Sequence, residues 1–229
     1  MPDNKQIKDG LGNLFTLRMR DISAMQDGSL QRSMFYTTAY PIDYGAGGMY
    51  KNVAYSGVIA GTLPAASVIY SFRWAAAAMF AIIDKIKLLA WSNTTSFTSI
   101  GPCKFETFFA RNFTAPDTGG TTLNLASDQN QLRTSMNDSQ AVIEVAGTGG
   151  LNVGTRTLDN YPLETQLVTA PLNPWSLFNP CPVVLFETLL SEHPIVLNTN
   201  EGIEIIASLP PIGNWNFALA VSWAETQNY

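Results

Sequence analysis

Residues 201–225 read EGIEIIASLPPIGNWNFALAVSWAE, and this stretch decides the fold class. Trp215, Phe217, Leu219, Val221 and Trp223 fall at strict period two, with the small or polar Asn216, Ala218, Ala220 and Ser222 between them. Such alternation describes a strand with one face on a core and the other toward solvent. Upstream, Ile203, Ile205, Ala207 and Leu209 mark one face of a strand over 201–209, and Pro210-Pro211-Ile212-Gly213-Asn214 is turn chemistry. Two strands across so short a connection predict a closing β-hairpin.

Working outward, the same pattern recurs. A strand is expected from Met49, where Val53, Tyr55 and Gly57 alternate, until Gly61-Thr62-Leu63-Pro64 breaks it. Ser67 to Trp74 places Val68, Tyr70, Phe72 and Trp74 on one side. The alanines at 75–78 suit either an irregular connection or a short helical turn. A strand follows from about Ile82 to Trp91, with Lys85 and Lys87 alternating with Ile86 and Leu88. Lys104 to Phe113 carries Phe105, Phe108, Phe109 and Phe113 and is expected to line the core. Short strands are expected over 121–125 and 140–146, loops over 158–162 and 172–182, and a strand or helical turn over 183–190. Residues 1–35 read as an N-terminal arm, with a short strand near Leu14–Arg20; 36–229 read as one β-sandwich domain, with a turn-rich stretch at 40–48.

Composition agrees with an all-β chain. Of 229 residues 46% are apolar, enough for a substantial core, and 17 glycines and 13 prolines suit strands and turns. Charged residues are only 14%, against about a quarter in typical soluble domains, which fits a surface partly covered by other subunits. The net charge of −5, with no basic block, argues against direct nucleic-acid binding. The polar amino terminus has no signal-peptide character, and the apolar run 74–83, bracketed by Arg73 and Asp84, is too short to span a bilayer. Cys103 and Cys181 read as free thiols with no redox or metal spacing.

The tests for chemistry come out negative. His193 is the only histidine, which rules out a histidine-based metal site by counting, and no nucleophile elbow accompanies it as a catalytic base. Glu201 and Glu204, three apart on a strand, point to opposite faces and make a poor acid pair. Asp117, Asp128 and Asp138 lie in no calcium-loop pattern, and Gly147-Thr148-Gly149-Gly150 lacks the rest of a phosphate loop. No catalytic, cofactor-binding or metal-ligating residue is therefore expected. The distinctive polar residues are Arg73, Arg111, Asp117, Arg133, Arg156 and Asp159, each where an apolar run meets a turn. Guanidinium groups there either tie crossing loops together or serve subunit contacts. Trp91 and Trp175, near expected loops, would be the aromatics of a glycan cleft.

Several segments resemble a family of uncharacterised virion proteins of tailed bacteriophages. They are Ser71-Phe72-Arg73-Trp74, Ala110-Arg111-Asn112-Phe113-Thr114, Asp117-Thr118-Gly119-Gly120, Leu132-Arg133-Thr134-Ser135-Met136 and Gly154-Thr155-Arg156-Thr157-Leu158-Asp159. Asn200-Glu201-Gly202-Ile203, Gly213-Asn214-Trp215 and Val221-Ser222-Trp223-Ala224-Glu225 complete the set. The matches keep their order from about residue 50 onward and lapse around 160–200. The resemblance implies a non-enzymatic capsid cement or decoration protein on the virion surface, made in the bacterial cytoplasm and bridging major capsid subunits. An antiparallel, jelly-roll-like β-sandwich with an extended N-terminal arm suits that role, as does a homotrimer at local threefold positions. A tail, neck or vertex protein and a host-glycan-binding module are the alternatives; no membrane partner or cofactor is implied.

Overall fold

A computed structural model describes residues 4–8, 14–18, 48–60, 63, 66–98, 101–126, 129–132, 137–189 and 192–227. In chain order the strands are β1 (Asn4–Lys8), β2 (Leu14–Arg18), β3 (Gly48–Tyr55), β4 (Ile59–Ala60), β5 (Ser67–Trp74), β6 (Phe80–Ser92), β7 (Pro102–Arg111) and β8 (Thr121–Thr122). They continue with β9 (Ala141–Val145), β10 (Thr157–Leu158), β11 (Glu164–Thr169), β12 (Val183–Glu187), β13 (Ile195–Leu197), β14 (Glu201–Ser208) and β15 (Asn214–Thr226). No helix occurs among the described residues.

The chain divides into two units, Met1–Thr38 and Ala39–Tyr229. In the first, β1 and β2 pair antiparallel, Asn4 opposite Arg18 and Lys8 opposite Leu14. The rest of the expected arm, and the turn-rich residues 40–47, lie outside the described residues.

The second unit holds two antiparallel sheets. One has the order β12-β6-β15-β3, with β13 also on β6 and β4 also on β15. The other has the order β10-β7-β14-β5-β9-β8, with β11 also on β7. Their inward residues share one hydrophobic core, the arrangement of a β-sandwich. From β15 come Trp215, Phe217, Leu219, Val221 and Trp223, all buried, facing Phe72, Phe105, Phe109, Ile203 and Ile205 of the other sheet. The two tryptophans close both ends of this layer. Trp223 stacks on Tyr50 (5.4 Å between ring centres) and meets Phe72 edge-on at 5.4 Å, while Trp215 packs against Phe105 at 5.9 Å and Phe178 at 5.8 Å. Aromatic pairs at these separations add specific geometry to the area they bury.

The closing pair is not a hairpin. β14 pairs with β5 and β7, whereas β15 pairs with β6, β3 and β4, so residues 210–213 carry the chain from one sheet to the other. Each strand is central in its own sheet, and both of its edges are occupied. The prolines have no amide hydrogen to offer a ladder, and a few extended residues at about 3.3 Å each span the roughly 10 Å between packed sheets.

Register also differs at β3. The strand forms, but Tyr50, Asn52 and Ala54 point inward, while Val53 and Tyr55 are 44% and 69% exposed. The expected strands at 67–74, 82–91, 104–113, 121–125, 140–146 and 183–190 are present with shifted ends, and residues 75–79 are irregular. The expected loop at 172–182 is also present. β1, β4, β10, β11 and β13 are additional to the expected set, β10 taking the first residue of the loop expected at 158–162.

Candidate functional site

Five of the resembling segments, 71–74, 110–114, 117–120, 154–159 and 200–203, come together around β14 and its neighbours, whereas 213–215 and 221–225 belong to β15 and its approach. Two rows of the outer face of β14 and its neighbours are set by register: Arg73–Gly202–Ala110, and Glu144–Ser71–Glu204–Phe108. An outward-facing row in a sandwich is normally solvated. Here the loops after β7 and before β10 cover it, held to each other by reciprocal Thr118–Asn152 backbone bonds of 2.7 and 2.9 Å and by Thr114 N donating to Thr155 O at 3.0 Å. The loops approach closely because Gly202 and Gly154 have no Cβ. One at Gly202 would lie 2.3 Å from Phe72 O and 2.8 Å from the Phe113 ring; one at Gly154 would lie 2.1 Å from Ala115 O.

Under this cover most of the charged groups have partners. Arg156 forms a two-pronged ion pair with Glu204, which is 0% exposed. Asp117 is equally buried; its Oδ1 accepts from Gly154 N at 2.7 Å, and its Oδ2 has no partner among the described residues. Burial raises the Glu204 carboxyl above the ordinary glutamate value; Arg156 opposes that rise and the charge of Asp117 adds to it. Arg73 donates to Phe113 O (2.5 Å), Thr114 O (3.2 Å) and Asn200 Oδ1 (3.3 Å). On the other side of β7 and outside this cover, the half-exposed Arg111 lies 3.9 Å over the Phe109 ring and reaches Glu201 at 2.5 Å and Asp159 at 3.3 Å. Thr122 donates to the buried Glu144.

Arg73, Arg111, Asp117, Arg156 and Asp159 thus act as internal ties between crossing loops; Arg133 lies outside the described residues. The same is true of Asp128. Glu201 and Glu204 face apart, each with its own arginine. His193 is exposed, its Nδ1 2.6 Å from Pro194 O. Both cysteines are free: Cys103 is buried, with its thiol pushed up to about 12 by desolvation, and Cys181 is half-buried. Among the described residues no three carboxylate, imidazole or thiol groups converge. Sequence reasoning did not place Glu204, Glu144 and Ser71 on a covered face, because the alternation in these strands does not signal that a second, outward face is covered.

The outer face of the other sheet is different in kind. Its rows are Tyr55–Ala218–Leu89, then Val53–Ala220–Lys87–Val184, then Lys51–Ser222–Lys85–Glu187. Tyr55, Val53, Leu89 and Val184 all stand exposed. Trp91, expected near a loop, lies within β6 opposite Asn216 and continues this face, bridging to the exposed Leu177. Trp175, 66% exposed with a φ of 57°, sits in the loop at 172–182. Ser92 ties that loop down: its Oγ donates to Asn173 O at 2.6 Å, and its backbone N donates to Ser176 O at 2.9 Å. Elsewhere, Pro102, Lys104, Leu167, Leu209 and Pro210 border an open, mainly apolar cleft of about 440 Å³. Its one cation is engaged with Glu106 at 2.9 Å.

The buried acids Glu204, Glu144 and Asp117 lie under the loop cover, whereas the outer face of the other sheet presents apolar side chains and ammonium groups. Comparison of the chain with protein-family models, with curated proteins and with solved structures finds no match.

Proposed function

We propose that the chain is a non-enzymatic structural protein of a tailed-bacteriophage virion, a cement or decoration protein that bridges major capsid subunits on the head surface. The observation that carries this reading is the open outer face of the β12-β6-β15-β3 sheet. Contiguous exposed apolar surface is a mark of contact with another protein. The order of the resembling segments and the low charge fraction support the same reading.

The finer fold in this proposal is a jelly roll, with residues 1–35 as an extended arm. Eight strands taken in chain order are β3, β5, β6, β7, β11, β12, β14 and β15. Neighbours in the sheets are first with last (β3·β15), second with seventh (β5·β14), third with sixth (β6·β12) and fourth with fifth (β7·β11). That nesting is one long antiparallel ribbon rolled into two layers, an architecture used repeatedly in capsid and lectin domains. Self-association as a homotrimer belongs to the same proposal, since closed symmetry suits a threefold lattice position.

Electron microscopy of the purified virion tests it. A copy number that scales with the capsid lattice and density over capsid-subunit junctions are expected. A single ring at a vertex, neck or tail would replace the cement role with the tail or vertex role. The second reading, a host-glycan module, is favoured by Trp175, whose backbone conformation is uncommon for a bulky residue and which presents its ring to solvent. A glycan-array screen in which Trp175→Ala removes a signal would support it; silence across the array would exclude it.

A further inference from the structure

The open face has a shape as well as a composition. Along β15 the outward residues Ala218, Ala220 and Ser222 are small, and Ala218 is only 6% exposed between Tyr55 at 69% and Leu89 at 37%. A low floor between taller walls is a trough. The walls, on β3 and β6, are two strand spacings apart, roughly 10 Å, wide enough for one segment of another chain.

The trough is chemically graded along its length. Toward Asn216 the walls are Tyr55, Trp91 and Leu89; midway, Val53 and Lys87 face each other across Ala220; toward Ser222 the walls are Lys51 and Lys85. Lys85 pairs with Glu187, while Lys51 and Lys87 form no ion pair among the described residues. The ammonium groups also repel one another: Lys85 first, and Lys51 with it, lower the Lys87 ammonium below the ordinary lysine value. A carboxylate laid across that end would relieve the repulsion, and large apolar side chains at the other end would cover Tyr55, Val53 and Leu89.

We infer that the trough over β15 docks a partner segment that is apolar at one end and acidic at the other, with its carboxylates against Lys51 and Lys87. This rests on reading the chain as an assembly protein and specifies the chemistry of what it grips. A single strand of nucleic acid would also meet lysines and aromatics, but the aliphatic Val53, Leu89 and Val184 offer bases no stacking surface.

The test uses the full chain and a fluorescent synthetic peptide with a leucine–valine half followed by a glutamate half. A second peptide carries lysine in place of glutamate, and anisotropy is the readout. The glutamate peptide should bind about tenfold tighter or better than the lysine peptide, with an advantage that shrinks in salt. The double variant Lys51→Glu/Lys87→Glu should invert the preference, Ala220→Arg should block both peptides, and Lys104→Glu, on the other sheet, should change nothing. Equal binding of the two peptides, or a preference unmoved by the double reversal, would overturn the inference. So would displacement of the glutamate peptide by a thymidine oligonucleotide, or failure of peptide binding alongside a light-scattering dimer that Ala220→Arg dissociates. If the peptide preference holds but the virion lacks the chain, the virion reading falls and the docking chemistry stands. If the chain sits on the head and the preference is absent, only the inference falls.

Discussion

The outer faces of the two sheets are built on the same alternation and end in opposite states. Over β14, the chain's own loops cover Ser71, Glu144 and Glu204, and Arg156 pairs with the enclosed Glu204. Over β15, no described loop covers Tyr55, Val53 or Leu89, and two lysines point outward without an ion pair. The difference separates two uses of polar and apolar groups. Buried ion pairs bind loops to a body at a desolvation cost, and removing one partner is far worse than having neither. Exposed apolar groups add nothing to the monomer and become useful only when something covers them.

The largest effect should come from breaking the sealed face. Arg156→Met leaves Glu204 and Asp117 buried without a cation and should cost about 3–5 kcal/mol in chemical denaturation. Adding Glu204→Leu should recover much of it; no recovery would show that Arg156 acts through packing instead. Next, Gly202→Ala forces a methyl against the Phe72 carbonyl and the Phe113 ring and should cost about 1–3 kcal/mol or more by the same measurement.

A third effect is pH dependence. Glu225, at the end of β15, accepts from Ser139 Oγ (2.5 Å) and Trp223 Nε1 (3.1 Å), yet desolvation leaves its carboxyl above the ordinary glutamate value. A raised folded-state value means that its contribution is fully present below the unfolded value, about 4.3, and is lost as pH rises through the folded one. Glu225→Gln should therefore lose less stability than the parent across that rise; parallel stability–pH curves would refute the assignment. The smallest change in stability belongs to the open face. Val53→Thr with Tyr55→Ser should shift unfolding by no more than about 0.5 kcal/mol and, under the proposed virion role, still abolish incorporation into particles, read by mass spectrometry of purified virions. Normal incorporation would place the contact elsewhere.

Much of the sealed face was half-legible in the sequence. Arg73, Arg111 and Arg156 stand where apolar runs meet turns, a position that left a tying role and a subunit contact equally open. Their partners did not follow, since Arg156 meets Glu204 and Arg73 meets Asn200 across long stretches of chain. The closing hairpin failed for a related reason. Period-two patterning identifies a strand and its inward face, but says nothing about which edges are free. Here β14 and β15 each had two other neighbours, so the short connection had to change layers. β3 shows the limit within a single strand: Val53 and Tyr55 look like core residues, and only pairing with β15 turns them outward.

By itself the sequence determined that this is a β protein, that Trp215 through Trp223 form one buried row, and that small residues line the reverse of that row. These properties are local, because side chains alternate along any extended backbone. The tertiary structure decided that the row divides two sheets rather than closing a hairpin. It also decided that the small residues form a trough that no described loop covers, while the matching face of β14 is covered. Those outcomes depend on contacts between segments far apart in the chain, and alternation carries no record of partners.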